Sequence, residues 1–120
     1  MAVDVFDLFS FYNSYFFHGR LDKCVVKWSK RMTLCAGTCK YEGMQSSTIT
    51  LSEALLQYRS SDEVKETLLH EMIHAYLFIM DPDSCKVDGG HGPPFQKMMR
   101  EINATTGLKV TIYHSFHDEV

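Results

Sequence analysis

Glu66-Thr67-Leu68-Leu69-His70-Glu71-Met72-Ile73-His74-Ala75-Tyr76-Leu77 is the stretch on which the reading of this chain depends. It contains His-Glu-x-x-His. From Thr67 to Met80 nearly every residue is apolar; Thr67, His70, Glu71 and His74 are the polar exceptions, with the Tyr76 hydroxyl besides. Spacings of three and four residues place these polar groups along one helical stripe. Two imidazoles one turn apart can share a metal ion, and the glutamate between them then lies beside it. So apolar a helix is buried on most sides. A buried ionised glutamate is costly unless a compensating charge or a wet cavity is near, and a zinc ion with a bound water supplies both. The competing reading is two core histidines and a solvated glutamate on an ordinary amphipathic helix.

A chain of 120 residues, 45% hydrophobic and 12% aromatic, is long enough for one compact domain with a real core. Its formal net charge of -3 excludes a strongly basic nucleic-acid binder by bulk charge, though not a local basic strip. No segment approaches the apolar length needed to span a bilayer. The N-terminus lacks a basic region, and Asp4 and Asp7 interrupt its apolar run, which argues against secretion. Cys24, Cys35, Cys39 and Cys85 are therefore expected to be reduced and intracellular. Cys35 and Cys39 have the wrong spacing for a zinc ribbon and read as small buried residues.

Outward from the central helix, Val5, Leu8, Phe9, Tyr12 and Phe16 predict a first helix from about Asp4 to Phe16, with Asp4, Asp7, Asn13 and Ser14 off that stripe and Phe11 and Phe17 widening its apolar surface. His18-Gly19 ends it. Strands are predicted over Lys23 to Ser29, Arg31 to Tyr41 and Thr48 to Leu51, forming an antiparallel three-stranded meander. Ser52 caps a short helix from Glu53 to Tyr58. Ser60 with Glu63 fits a capping box that opens the central helix, which stops by Met80 because Pro82 cannot continue it. A polar loop from Asp81 to Gly90 follows. Pro93 and Pro94 then start a helix whose buried stripe is Phe95, Met98, Met99 and Ile102, ended by Gly107. Leu108 to Phe116 alternates as a last strand, with Val110, Ile112 and His114 opposite Thr111, Tyr113 and Ser115. The fold class expected is α+β, with helices packed on a small, mainly antiparallel sheet, in one domain over 1–120.

A catalytic zinc has three protein ligands and one open position. Six residues past His74 stands Met80, so the third ligand must come from further along the chain. His91, at a loop-to-helix junction, is the best candidate. Glu101, His114 and His117 are alternatives, and Cys85 and Asp88 read as bystanders. Tyr113, His114 and Tyr76 are candidates to support an oxyanion; the sequence does not choose among them. Lys23, Lys27, Lys30 and Arg31, with Arg20, cluster around Trp28 and form a candidate strip for DNA phosphates and a stacked base.

Several motifs now agree in order. Met32-Thr33-Leu34-Cys35-Ala36-Gly37-Thr38-Cys39, Leu51-Ser52-Glu53, Leu68 to Tyr76, Gly90-His91-Gly92-Pro93-x-Phe95 and Tyr113-His114-x-Phe116-His117-Asp118-Glu119-Val120 resemble the SprT-like protease domain of the Spartan family, DNA-dependent metalloproteases. The resemblance covers almost the whole chain. It implies a zincin-like domain in which His70, His74 and His91 hold one catalytic zinc and Glu71 is the acid/base. It also implies nuclear, chromatin-associated cleavage of proteins crosslinked to DNA during replication-coupled repair, activated by single-stranded or partly unpaired DNA. The family's second zinc-binding subdomain, which helps grip DNA, is expected to begin where this chain stops. Motifs for ubiquitin, the replication clamp and an unfoldase are expected in the family's tail, and no membrane partner is. Two further readings stand beside this one: a zinc peptidase of the same fold with a substrate not linked to DNA, and a non-enzymatic adaptor with a structural zinc. The intact Glu71 speaks against the adaptor, since a purely structural site needs no base.

Overall fold

The computed structural model describes residues 4–113. The elements run α1 (Val5–Phe16), β1 (Val25–Ser29), β2 (Gly37–Gly43), β3 (Ser46–Ser52), α2 (Glu53–Leu56), α3 (Ser61–Met80), two short 3-10 turns (Pro82–Lys86 and Asp88–Gly90) and α4 (Pro93–Thr106). No helix among the described residues is long and apolar enough to cross a membrane.

α3 starts where its sequence signals place it. The Ser60 side chain accepts from the Glu63 N–H at 3.2 Å, and the Glu63 side chain returns to the Ser60 N–H. Asp62 and Glu63 lie in its first turn, where the helix dipole favours negative charge. α3 is buried along most of its length, including Val64, Leu68, Leu69, Met72, Ile73, Ala75 and Leu77. Together with Phe17, Leu21, Ile49, Leu51, Leu56 and Phe95 these residues make the core between the helices and one face of the sheet.

The sheet is mixed rather than an antiparallel meander. Its order is β1-β3-β2, with β3 central. β2 and β3 pair antiparallel through a two-residue turn at Met44 and Gln45, both in the left-handed region, as such hairpins require. β1 pairs with β3 in parallel, Val26 opposite Ile49 and Trp28 opposite Leu51. The alternation of β1 and β3 fixed which face each side chain takes, but not which strand would be the neighbour. β2 is also displaced from its expected span: Arg31 to Ala36 form no strand. Their place is held by Ser52, whose buried hydroxyl donates to the Met32 carbonyl at 2.6 Å while accepting from the Leu55 N–H that begins α2. α2 itself ends at Leu56, short of Tyr58.

Two further expectations are corrected. On α1, Phe11 is exposed and Asn13 is buried. Asn13 turns the chain from α1 into β1: its side chain accepts from the Leu21 N–H and donates to Asp22, and its carbonyl takes the N–H groups of Phe17 and Gly19. The last strand is absent over 108–113, although the predicted inward parity holds: Val110 is buried and Leu108 and Ile112 half-buried, while Lys109, Thr111 and Tyr113 are exposed. Residues 114–116 of that predicted strand lie outside the described residues.

Candidate metal centre

α3 presents His70 and His74 one turn apart, both buried. The 3-10 turns after α3 bring the chain back so that His91, just before α4, meets them. The three Nε2 atoms form a triangle: His70 to His74 3.2 Å, His74 to His91 3.0 Å, His91 to His70 3.3 Å. Metal–nitrogen bonds of about 2.0–2.1 Å at tetrahedral angles place donor nitrogens about 3.3–3.4 Å apart. The triangle therefore fits one ion, with a fourth position left over. Among the described residues no other group of three or more histidine, cysteine or acidic side chains converges in this way.

The protonation pattern also fits. His70 Nδ1 lies 2.6 Å from the Thr111 carbonyl oxygen. A carbonyl only accepts, so Nδ1 carries the proton and the Nε2 lone pair faces the triangle. Phe95, fully buried in the first turn of α4, packs against all three imidazoles, with ring centroids 5.1 Å from His70, 4.8 Å from His74 and 4.9 Å from His91. Its ring leaves the imidazoles little room to rotate away from the shared point.

Glu71 follows His70 on α3 and is fully buried. It lines a cavity of about 170 Å³ with His74, Cys39, Tyr41 and Gly89. Tyr41 stacks on Phe78 at a centroid distance of 4.2 Å, closing one wall. Burial pushes the Cys39 thiol up to about 12, with the Glu71 carboxylate acting in the same direction. Burial likewise raises the Tyr41 phenol, so both groups keep their protons at neutral pH.

Two glycines allow this close packing. A Cβ on Gly37, the first residue of β2, would lie 2.9 Å from Thr67 Cγ2 and 3.1 Å from Glu71 Cγ. A Cβ on Gly90, at φ +83°, would lie 3.2 Å from two atoms of the His74 ring. Gly37→Ala is expected to destabilise the chain by about 1–3 kcal/mol, as overpacking does. Thr67→Ser deletes the nearest obstructing methyl and keeps the hydroxyl that donates to the Glu63 carbonyl. Urea unfolding of the double variant should recover part of that loss; no recovery would place the strain elsewhere.

Of the other candidates, Glu101 is exposed on α4, lining a separate groove with Tyr15 and Phe16. His114 and His117 lie outside the described residues. Tyr76 is half-buried and packs on Phe17, and Tyr113 is exposed two residues beyond Thr111. Arg20, Lys23, Lys27, Lys30 and Arg31 are exposed. Trp28 packs against the core, on the side opposite Lys27, whereas Lys40 of β2 shares the outer sheet face with Lys27. The four cysteines are free. Sequence reasoning missed the Thr111 carbonyl and the cavity-lining role of Tyr41; a backbone acceptor leaves no trace in residue identity.

Known proteins are similar to this chain over nearly its whole length. The profile of the SprT-like family matches residues 5–114. The chain is 54% identical over 118 residues to the human protein named DNA-dependent metalloprotease SPRTN, covering 98% of this chain and 24% of that protein. It is 50% identical over 123 residues to DNA-dependent metalloprotease dvc-1 of Caenorhabditis elegans, covering 98% and 32%. A more distant match is the Germ cell nuclear acidic-1 protein of C. elegans, 29% identical over 76 residues, or 63% of this chain and 13% of that protein. The chain thus spans about a quarter to a third of the length of the SPRTN and dvc-1 relatives. With the match running across α1 to α4 and through all three converging histidines, this α+β chain belongs to the SprT-like family, whose fold is zincin-like.

Proposed function

We propose that this chain is a zinc endopeptidase domain that cleaves proteins crosslinked to DNA, in the nucleus and on chromatin, when DNA is present. The observation that carries the proposal is the Nε2 triangle with a buried glutamate next in sequence to one of its members. Identity of 54% to a relative named a DNA-dependent metalloprotease supports the peptidase activity and the DNA requirement, and the crosslinked substrate is what the resemblance to the Spartan family implies.

His70, His74 and His91 hold the zinc as neutral imidazoles. Zinc bound there supplies a Lewis acid that polarises the scissile carbonyl and lowers the pKa of a water to about 7. Glu71 accepts the attacking water's proton on its carboxylate and returns it to the amide nitrogen as the C–N bond breaks. Tyr113 or His114, which follow Thr111 in the chain, support the developing oxyanion. The substrate pairs as an extended strand with the outer edge of β2, whose Cys39 and Tyr41 line the cavity beside Glu71. DNA phosphates are met by Lys23, Lys27, Lys30 and Arg31, with Lys40 on the same sheet face as Lys27.

The test compares hydrolysis of one protein free, mixed with single-stranded DNA, and covalently attached to a single-stranded oligonucleotide. The proposal expects the attached substrate to be cut fastest and the free one slowest. Equal rates would favour a zinc peptidase without a DNA trigger. Zinc uptake with no hydrolysis of any substrate would favour an adaptor.

A further inference from the structure

Residues 108–113 run along α3 and α4, with a bend at Ile112, without joining the sheet. Helix side chains take their backbone groups instead, beginning with Thr106 at the end of α4, whose Oγ1 accepts from the Leu108 N–H at 3.1 Å. The Lys109 N–H donates to Glu66 Oε2 of α3 at 2.7 Å. The Val110 N–H donates to Asn103 Oδ1 of α4 at 2.8 Å, and Asn103 Nδ2 donates back to the Val110 carbonyl at 3.0 Å. A single amide side chain thus does for Val110 what a neighbouring strand does for a residue in a ladder. Val110 itself is buried in the core. The next carbonyl along, Thr111, is the one that accepts from His70 Nδ1.

Removing the Asn103 and Glu66 bonds leaves the strap held by the Leu108 N–H bond to Thr106 Oγ1, by the Thr111–His70 bond itself and by apolar contact, which is non-directional. The Leu108 bond lies three residues from Thr111, so the Asn103 pair on the adjacent Val110 is the nearest bond, apart from the His70 bond itself, that sets where the Thr111 carbonyl oxygen sits. We propose that Asn103 and Glu66 are positioning residues for the metal centre: they fix the strap, the strap fixes the Thr111 carbonyl, and that carbonyl fixes the tautomer and orientation of His70. This rests on the reading that the three imidazoles bind zinc.

Zinc affinity of the full chain, measured by chelator competition, tests it. Asn103→Ala is expected to weaken zinc about 10–100-fold, the usual effect of losing an outer-shell partner. Glu66→Ala should weaken it in the same direction, and Glu66→Gln, which keeps an acceptor for the Lys109 N–H, should restore it. Ser52→Ala, which loosens the fold away from the strap, should leave affinity unchanged in the folded chain. In the metal-free chain, imidazole nitrogen shifts should report a single Nδ1–H tautomer for His70, and a mixture in Asn103→Ala. Asn103→Ala that is folded and binds zinc as tightly as the parent overturns the inference. Should that variant fail to fold, equal zinc affinity for the parent, Glu66→Ala and Glu66→Gln overturns it as well. A parent chain that takes up no zinc overturns the underlying metal reading instead.

Discussion

Glu71→Gln should leave zinc bound and lower peptide hydrolysis by about 10²–10⁴-fold, the range that a positioned acid/base supplies. The substitution keeps the shape of the side chain in a fully buried position where Gly37 leaves room for little else. It removes only the ability to take up a proton at near-neutral pH. The three imidazole nitrogens are untouched, so metal content should remain stoichiometric by atomic emission. Undiminished hydrolysis by a chain verified to carry glutamine would reject Glu71 as the base and return attention to the groups that share its cavity, Tyr41 and Cys39. Burial holds both of those protonated at neutral pH, which argues against either as a base.

The second large effect is on metal retention. His91→Ala removes the one corner of the triangle that does not come from α3, leaving two donors on one helix. At zinc concentrations a thousandfold above the parent's Kd, binding adds about 4 kcal/mol to stability. For a domain of this size that corresponds to a rise in Tm of roughly 10–20 °C on adding zinc. His91→Ala should lose that rise, and the parent should lose it on treatment with a chelator. A His91→Ala chain that still takes up one zinc per molecule and shows the full rise would move the third ligand to Glu101, His114 or His117. Glu101 starts at a disadvantage, exposed on α4 beside a different groove.

The parts of the fold legible in the sequence are those decided by local chemistry. The Ser60–Glu63 capping box, the Ser52 cap, the Pro82 stop and the Gly107 end each depend on residues within one turn of one another. The convergence of His91 on His70 and His74 was legible because the motif fixes two corners and a catalytic site needs a third donor. What could not be read is what depends on partners distant in sequence. Nothing in Val25–Ser29 indicates that its neighbour is β3 and that the pair is parallel. The inward parity of Val110 was correctly read, but parity does not distinguish a strand from a segment outside the sheet whose ladder partner is the Asn103 side chain. Asn13 looked like a polar residue off the helical stripe because its role is to satisfy the Leu21 N–H, eight residues on. The lysine strip was read as one group around Trp28; strand alternation divides it, with Trp28 toward the core and Lys27 toward the outer face.

The most direct measurement is a crystal structure of this chain grown with zinc, with anomalous data collected on both sides of the zinc absorption edge. A single strong anomalous peak is expected about 2.0–2.1 Å from Nε2 of each of His70, His74 and His91, with the ion's fourth position open toward the cavity lined by Glu71. No peak at that point, or an ion enclosed by four protein side chains, would contradict the reading of this centre as a catalytic zinc site.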